Sequence, residues 1–437
     1  MAQAYHGGRL AQAQARFGRP REAFLDFSSN LNGRAPRITP ELWESWRSRA
    51  LCYPQADAEA VCGRLAEVYD VPEAWLLPGA GAIEGLYLVA RLFAGKRVAV
   101  IEPGFSDYAR AFEAGNAVVE RVVLAPETWA RPITQWPVDW TRFDGVVLGN
   151  PNNPTGAFQE PAALEEMLGR AGGQQWVVDE AFVEFVDEPG RRSLLPALGR
   201  YPSLFVLRSL TKSWGVPGLR LGFLAGACGE SMDRLRALQP PWALNGVAEA
   251  WAEHFLTRPQ YDGLLCGLES LGRDREVMSE GLSRVAGVRV YPSACNFLLL
   301  ELAGLDPDAV EERLGRMGLL VRLCDSFYGM PKRRFLRVAV KSPEENARFV
   351  DALAECCAAL RQEAVCRRSR SWALPPTVGR VGWRRRFARF CGAKACRWRR
   401  SRPRTCPITP LSRWTAGRWA GPKPSRLRPA ESRPGLR

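Results

Sequence analysis

Histidine is nearly absent from this chain of 437 residues, which contains only His6 and His254. Its twelve cysteines form no C-x-x-C pair. Zinc and iron–sulfur sites draw on several cysteine or histidine ligands at short, fixed spacings, so the sequence argues against both classes of site. We expect no metal centre, and we expect the thiols to be reduced and mostly buried.

Long apolar runs are missing as well. No stretch comes near the ~18 apolar residues of a membrane-spanning helix. The chain does not open with a charged segment followed by an apolar one, the pattern of a secretion signal. These absences predict a cytoplasmic protein with no membrane partner.

Acidic residues are almost missing from the last part of the chain. Between Val365 and Arg437, 19 arginines and two lysines accompany a single acid, Glu431, which gives this segment a charge of +20. Subtraction from the totals of 61 basic and 46 acidic residues leaves 40 and 45 in the rest of the chain. The formal net charge of +15 therefore comes from the tail, and the body is mildly acidic.

The tail, residues 364–437, has no sustained apolar period and is not predicted to form a packed domain. Its arginines and five tryptophans could bind nucleic acid through phosphate contacts and base stacking. The alternative is a disordered extension or an out-of-frame translation of GC-rich coding sequence. We favour this alternative, so nucleic acid is not the expected partner.

Short apolar runs alternate with longer helical patterns in the body of the chain. The runs are R-V-A-V-I at 97–101, G-V-V-L-G at 145–149, W-V-V-D at 176–179 and L-F-V-L-R at 204–208. This alternation is typical of an α/β fold, in which crossover helices join parallel strands. Each run ends in polar or Gly/Pro residues, and ligand sites in such sheets lie at the carboxyl ends of the strands.

The pattern changes after residue 245 to long helical segments and short strands such as V-R-V-Y, N-F-L-L-L-E and F-L-R-V-A-V. These indicate a second, smaller α+β domain. We predict an N-terminal segment at 1–45 that joins the small domain, a large domain at 46–248, the small domain at 249–363 and the tail at 364–437.

A lysine stands among small polar residues in the run S-L-T-K-S-W-G-V-P-G-L-R, which starts at Ser209. Lys212 could form a Schiff base with an aldehyde cofactor. Ser209, Thr211 and Arg220 could bind the phosphate of that cofactor. We interpret this run as a cofactor anchor.

Two neighbouring strand ends offer further candidates. The loop G-N-P-N-N-P-T-G at 149–156 contains Asn153, whose amide could donate to an anionic oxygen on a cofactor ring, although its composition also suits a turn with no function. Asp179 ends the next strand and could pair with a pyridine nitrogen, which would keep that nitrogen protonated. An exposed acid at a strand end is the alternative.

A glycine turn, P-G-A-G at 78–81, precedes a helical pattern. Backbone N–H groups near Gly81, Ala82 and Ile83 could bind a phosphate there, helped by the helix dipole. Phe105 and Tyr108 follow a strand end in E-P-G-F-S-D-Y. Either ring could stack on a planar cofactor or belong to the core.

Together and in this order, the motifs between residues 5 and 363 resemble the fold-type-I pyridoxal-phosphate enzymes of the aspartate aminotransferase superfamily. The resemblance implies a large domain with a mostly parallel seven-stranded sheet flanked by helices, and a smaller α+β domain. It also implies that the cofactor is pyridoxal 5'-phosphate and that the protein is a homodimer with shared active sites.

The resemblance assigns roles to the candidate residues. Lys212 would bind the aldehyde of the cofactor, Asp179 would pair with its ring nitrogen, and Asn153 would bond its ring O3′. The phosphate and the ring face would be held by Gly81, Ala82, Ile83, Ser209, Thr211, Arg220 and Phe105. Tyr53 would reach the phosphate of the neighbouring subunit's cofactor.

Within this superfamily the chain is similar to the branch that contains histidinol-phosphate aminotransferase and L-threonine-O-3-phosphate decarboxylase. The openings Y-H-G-G and L-D-F-S-S-N-L-N resemble those of the decarboxylases, which implies that His6, Asn30 and Asn32 help to enclose the substrate. Phe182 stands where the aminotransferases commonly have tyrosine.

The resemblance further implies that Arg322 and Arg337 bind the phosphate and the carboxylate of a small phosphorylated amino acid. The implied reaction is decarboxylation of L-threonine O-3-phosphate for cobalamin biosynthesis. Transamination, as in histidinol-phosphate aminotransferase, is the alternative, because no motif reports which bond at the substrate Cα breaks. A remote alternative is a non-catalytic protein that binds nucleic acid through the tail.

Overall fold

The computed structural model describes residues 7–34, 38–170, 172–187 and 192–371. Its helices are α1 (Leu10–Phe17), α2 (Pro40–Arg47), α3 (Glu59–Tyr69), α4 (Ala82–Ala90), α5 (Asp107–Ala114), α6 (Pro161–Arg170), α7 (Leu210–Ser213), α8 (Gly229–Leu238), α9 (Gly246–Phe255), α10 (Arg258–Leu268), α11 (Leu271–Ser283), α12 (Pro307–Arg316) and α13 (Pro343–Ser371). Its strands are β1 (Leu25–Asp26), β2 (Leu76–Gly79), β3 (Arg97–Glu102), β4 (Val118–Val123), β5 (Gly145–Gly149), β6 (Gln175–Asp179), β7 (Leu204–Ser209), β8 (Gly222–Gly226), β9 (Val288–Val290), β10 (Phe297–Leu302), β11 (Leu319–Leu320), β12 (Arg322–Leu323) and β13 (Phe335–Ala339).

Seven strands form the large sheet, in the order β2-β8-β7-β6-β5-β3-β4. The five strands from β7 to β4 are parallel, whereas β8 is antiparallel to both β7 and β2. All four apolar runs that predicted parallel strands lie in the parallel part. The predicted mostly parallel seven-stranded sheet is confirmed.

Apart from the partly exposed edge strand β4, the large sheet is buried on both faces. Alternate residues of its inner strands enter different apolar clusters. In β6, Trp176 and Val178 pack into one cluster and Val177 into the other. A strand covered on both faces needs a continuous apolar run rather than an alternating one, which is the pattern seen in the sequence.

The carboxyl ends of the parallel strands meet at one edge and carry the candidate site. Asp179 is the last residue of β6, and Ser209 is the last residue of β7. The chain passes directly from Ser209 into the single turn α7, which contains Lys212. The loops that follow β3 and β5 carry Phe105 and Asn153, respectively.

A second sheet, β12-β13-β10-β9, is antiparallel, and β1 pairs in parallel with β11. In this sheet Arg322 of β12 stands directly opposite Arg337 of β13. The predicted domain boundaries at residues 46, 249 and 364 remain predictions.

The last helix, α13, extends to Ser371 and therefore enters the segment predicted to be an unpacked tail. No glycine or proline stands between Pro343 and Pro375, so the sequence contains no residue that would stop the helix earlier. The interpretations of residues 372–437 lie outside the described part of the chain. Within that part, no helix is long and apolar enough to cross a membrane.

A buried ion-pair network lies behind the candidate site. Arg208 of β7 is 2% exposed and donates to Glu180 Oε2 at 3.2 Å, to Ser193 Oγ at 3.1 Å and to Glu184. Its guanidinium also lies 4.9 Å from the ring centroid of Tyr69. Since Glu180 follows Asp179 directly, this network fixes the ends of β6 and β7 relative to each other.

Replacing Arg208 with methionine should destabilise the fold strongly. Arg208→Met leaves Glu180 and Glu184 buried without a counter-charge, which typically costs about 3–5 kcal/mol. Urea unfolding followed by tryptophan fluorescence measures this loss. The matched control, Arg200→Met, breaks the exposed pair with Glu165 and should cost less than about 1 kcal/mol. Equal, small losses in both variants would contradict the expectation.

Candidate active site

A cavity of about 220 Å³ opens at the carboxyl edge of the large sheet. Most of the residues predicted to bind cofactor or substrate line it: Asn30, Ala82, Ile83, Phe105, Asn153, Asp179, Ser209, Thr211, Lys212, Arg220, Arg322 and Arg337. The structure therefore brings together residues from nearly the whole length of the body.

Lys212 reaches the cavity from α7, and its environment favours the neutral amine. Burial lowers the pKa of Lys212 to about 8, with further lowering by Arg337 and Arg220 and an opposing effect of Asp179. The neutral amine is the form that attacks an aldehyde. Near neutral pH, Lys212 therefore has a much larger reactive fraction than an ordinary lysine.

Asn32 is the predicted substrate residue that does not line the cavity. Its backbone N–H donates to the carbonyl oxygen of Lys212 at 3.0 Å, and its Nδ2 donates to the carbonyl oxygen of Ser213 at 2.8 Å. Its Oδ1 accepts from the N–H of Arg34 at 2.9 Å. The Asn32 side chain therefore bonds to the backbone of α7 and of Arg34, and its contact with substrate stays a prediction.

Asp179 accepts two hydrogen bonds from the protein. The Tyr108 hydroxyl donates to Oδ2 at 2.7 Å, and the Ala181 N–H donates to Oδ1 at 2.9 Å. Burial raises the pKa of Asp179, while these two hydrogen bonds and the charge of Lys212 act in the opposite direction. The sequence indicated Tyr108 as an aromatic residue near the site, but nothing in the motif pointed to this hydrogen bond.

The donors suited to a phosphate converge at the start of α4. The hydroxyls of Ser209 and Thr211 lie 2.8 Å apart and face the same cavity as Arg220. Gly81, immediately before α4, has φ of 81°. A Cβ at Gly81 would lie 2.7 Å from Arg220 Nη2, so glycine lets the guanidinium approach the first turn of the helix.

Arg337 is buried and connects three parts of the site. Its Nη1 donates to Asn153 Oδ1 at 2.5 Å, and its Nη2 donates to the carbonyl oxygen of Ser28 at 3.0 Å. With its amide oxygen turned toward Arg337, Asn30 accepts from Nη1 at 3.2 Å and from Nε at 3.3 Å. Burial, together with the positive charge of Arg322, lowers the pKa of Arg337 to about 10.

Arg322 lies beside Arg337 and is 3% exposed. Its Nη2 donates to Ser326 Oγ at 2.7 Å, and its guanidinium lies 5.3 Å from the ring centroid of Phe327. Sequence reasoning missed Ser326 and Phe327, which belong to no recognised motif. Phe182 also lines the cavity and packs edge-on against Phe297 at 5.2 Å, so it contributes an apolar wall.

Tyr53, predicted to contact the cofactor, does not line this cavity. Tyr53 is 86% exposed and packs against Trp242 with ring centroids 5.3 Å apart. Because its predicted role is in the neighbouring subunit's site, that role stays a prediction. His6 lies outside the described residues.

The parallel sheet, with a lysine, an acid and a phosphate-binding donor set at its carboxyl edge, defines a fold-type-I pyridoxal-phosphate enzyme. Residues 30–353 match the family model of aminotransferase class I and II, and the chain belongs to this family.

Two individual relatives are similar to this chain over most of its length. The chain is 31% identical to threonine-phosphate decarboxylase of Salmonella typhimurium, over 80% of this chain and 95% of that protein. It is also 31% identical to histidinol-phosphate aminotransferase 1 of Cupriavidus pinatubonensis, over 79% of this chain and 92% of that protein. The crystal structure of L-threonine-O-3-phosphate decarboxylase from Porphyromonas gingivalis matches with a TM-score of 0.67 and 25% identity, covering 75% of this chain and 97% of that chain. The resemblance inferred from the sequence is confirmed.

The residues present fit pyridoxal 5'-phosphate, the cofactor of this family. A hydroxyl pair, a guanidinium and a helix start suit its phosphate, and a partly neutral lysine suits its aldehyde. The carboxylate of Asp179 suits a protonated ring nitrogen.

The reactivity of Lys212 toward an aldehyde should rise with a midpoint near pH 8, because its pKa is lowered to about 8. Pyridoxal, which has no phosphate, is the suitable probe, and absorbance follows its reaction with the cofactor-free protein. Arg220→Gln removes a positive neighbour, so the pKa of Lys212 rises and the midpoint should move to higher pH. Lys212→Ala is the control that removes the reaction. A midpoint near the ordinary lysine value of 10.5 in the parent would contradict this expectation.

Proposed function

We propose that this chain decarboxylates L-threonine O-3-phosphate to (R)-1-aminopropan-2-yl phosphate and CO₂, with pyridoxal 5'-phosphate as cofactor. The observation that carries this proposal is the buried pair of arginines, Arg322 and Arg337, which line the same cavity as Lys212. The relatives named threonine-phosphate decarboxylase support the choice of substrate.

The arginine pair is suited to bind an anionic ligand. Arg322 and Arg337 are direct cross-strand partners, and like charges opposite each other destabilise a sheet. The guanidinium fork binds carboxylate and phosphate oxygens through two parallel hydrogen bonds. A substrate that carries both groups would compensate both charges.

We infer the roles of the cofactor-facing residues from the same cavity. Ser209, Thr211, Arg220 and the first N–H groups of α4 would hold the cofactor phosphate, and Lys212 would bind its aldehyde. The remaining contacts would be made by Phe105 against the ring face, Asp179 at the ring nitrogen and Asn153 at the ring O3′. Arg337 orients the amide of Asn153 by donating a hydrogen bond to its Oδ1. The Nδ2 of Asn153 is then the atom that could donate to the cofactor.

Pyridoxal phosphate, when bound, supplies an electron sink for the charge left at Cα when CO₂ departs. The protein has to orient the substrate, exclude water and return a proton. Arg322 and Arg337 would fix the carboxylate and the phosphate, and Phe182 would keep that side of the cavity apolar. Lys212, with a pKa of about 8, can hold a proton and release it to Cα near neutral pH.

Transamination is the second candidate, favoured by the relatives named histidinol-phosphate aminotransferase. It would use the same residues, with Lys212 removing the proton of Cα. Phe182 supports the decarboxylase, since the D-E-A-F sequence around it resembles the form found in the decarboxylases.

The product of the proposed decarboxylation would serve as the aminopropanol linker in cobalamin biosynthesis. A cytoplasmic location remains a prediction from the sequence.

We further propose a homodimer in which each site takes Tyr53 from the other subunit. Leu51, Tyr53 and Trp242 are large apolar side chains that are 85%, 86% and 49% exposed. Clustered apolar exposure of this kind marks an interaction surface. Its occupant would be a second copy of this chain, as the resemblance to the superfamily implies.

The purified protein should release CO₂ from L-threonine O-3-phosphate without 2-oxoglutarate. L-Threonine, which lacks the phosphate, should have a kcat/KM at least about 100-fold lower, because it loses at least two charged hydrogen bonds worth about 1.5–3 kcal/mol each. Turnover of histidinol phosphate that depends on 2-oxoglutarate, with no CO₂ from threonine phosphate, would overturn the decarboxylase proposal in favour of transamination.

Mixing two defective variants should restore activity if the sites are shared. Lys212→Ala and Tyr53→Ala each damage a different part of the composite site, and a mixed dimer contains one site with both residues intact. After refolding or co-expression, a random mixture should recover about a quarter of the parent activity under limiting cofactor. Light scattering checks the dimer. Activity no higher than the average of the two variants would exclude sharing.

A further inference from the structure

Tyr108 of α5 places its hydroxyl against Asp179, and the mechanism above gives it no role. The side chain is 2% exposed, and its hydroxyl donates to Asp179 Oδ2 at 2.7 Å. The other carboxylate oxygen accepts from the Ala181 N–H. Since each carboxylate oxygen can accept two hydrogen bonds, Asp179 keeps the capacity to bind a further donor in the cavity.

The lack of a side chain at Gly149 leaves room for the Tyr108 hydroxyl. A Cβ on Gly149, the last residue of β5, would lie 2.9 Å from the Tyr108 oxygen, closer than such atoms approach without a shift. The ring of Phe105 packs edge-on against Tyr108, with centroids 5.6 Å apart and planes at 76°. Glycine at position 149 and the ring of Phe105 therefore fix the hydroxyl at the carboxylate.

The electrostatics of the pair favour a charged acid and a neutral phenol. Burial raises the pKa of Asp179, and the hydrogen bond from Tyr108 is the largest effect that lowers it. Burial also raises the pKa of Tyr108 well above its ordinary value, helped by the charge of Asp179. The phenol thus keeps its proton and remains a donor.

We propose that Tyr108 is a positioning residue that keeps the Asp179 carboxylate charged and aimed at the ring nitrogen of the cofactor. This inference rests on the proposed function, because it requires pyridoxal phosphate with its ring nitrogen at Asp179. Tyr108 touches neither the substrate nor the reacting atoms in this role. It acts through Asp179 on the protonation of the ring, which sets how strongly the ring withdraws electrons.

The test uses holoenzyme loaded with pyridoxal phosphate that carries ¹⁵N at the ring nitrogen. Tyr108→Phe removes the hydroxyl and keeps the ring packing, while Gly149→Ala keeps Tyr108 and displaces its hydroxyl. Tyr201→Phe is the matched control, since Tyr201 is a partly buried tyrosine in the turn before β7 that does not line the cavity. NMR of the labelled nitrogen reports ring protonation directly and needs no turnover.

In the parent and in Tyr201→Phe, the ¹⁵N chemical shift should be that of a protonated ring nitrogen. In Tyr108→Phe and Gly149→Ala it should move toward the value of an unprotonated pyridine, and the dissociation constant of the cofactor should rise about tenfold. Thermal unfolding of the cofactor-free variants separates this effect from a loss of fold.

A parent-like nitrogen signal and cofactor affinity in Tyr108→Phe would overturn the inference and leave the proposed function intact. Failure of the parent to bind the labelled cofactor would instead overturn the proposed function. If Tyr108→Phe does not fold, Gly149→Ala decides, because a parent-like signal in that variant overturns the inference in the same way.

Discussion

The excess of positive charge around one cavity, with Arg322 and Arg337 buried, is the constraint on which the rest of the site depends. Lys212, Arg220, Arg322 and Arg337 line this cavity, and among the described lining residues Asp179 is the one acid. Burying like charges costs free energy unless they are compensated. A cofactor phosphate and a substrate with a phosphate and a carboxylate would supply that compensation, so ligand binding and stability of the folded state are coupled. Burial, together with the charges of Arg337 and Arg220, lowers the pKa of Lys212 and makes its amine reactive.

The fold concentrates this charge by joining elements from two sheets. Asp179 and Lys212 come from the carboxyl edge of the parallel sheet, whereas Arg322 and Arg337 come from the antiparallel one. The N-terminal segment connects the two sides. Its Ser28 carbonyl accepts from Arg337, and its Asn32 donates to the backbone of α7. A short segment with little regular structure therefore fixes the distance between the lysine and the arginines.

The large sheet could be predicted from sequence because buried parallel strands leave continuous apolar runs, and because polar residues at their ends must converge. Residues tied to these motifs, such as Lys212 and Asp179, were therefore found together. The hydrogen bonds of Asn32 to the backbone of α7 were not predicted, because a motif gives a residue's position but not the direction of its side chain. The hydrogen bond of Tyr108 depends on residues from α5, β5 and β6, and such a contact leaves no local pattern. The change of composition near residue 364 gave no sign that α13 extends to Ser371, because composition alone does not report where a helix ends.

Under the proposed function, the choice between decarboxylation and transamination would depend on how Arg322 and Arg337 orient the substrate. The bond at Cα that breaks is the one held perpendicular to the cofactor ring, and the protein controls that angle through the groups it binds on the substrate. Arg337 donates to Asn153 Oδ1 and to the carbonyl oxygen of Ser28, so its guanidinium has a fixed direction relative to these two groups. Arg322 stands across the strand pair from it, oriented by Ser326. In the proposed decarboxylation, the way these two arginines divide the phosphate and the carboxylate would set which bond at Cα is presented. Lys212, Asp179 and Asn153 are compatible with either reaction, so the distinction would have to come from the groups that orient the substrate, Arg322, Arg337 and Phe182 among them.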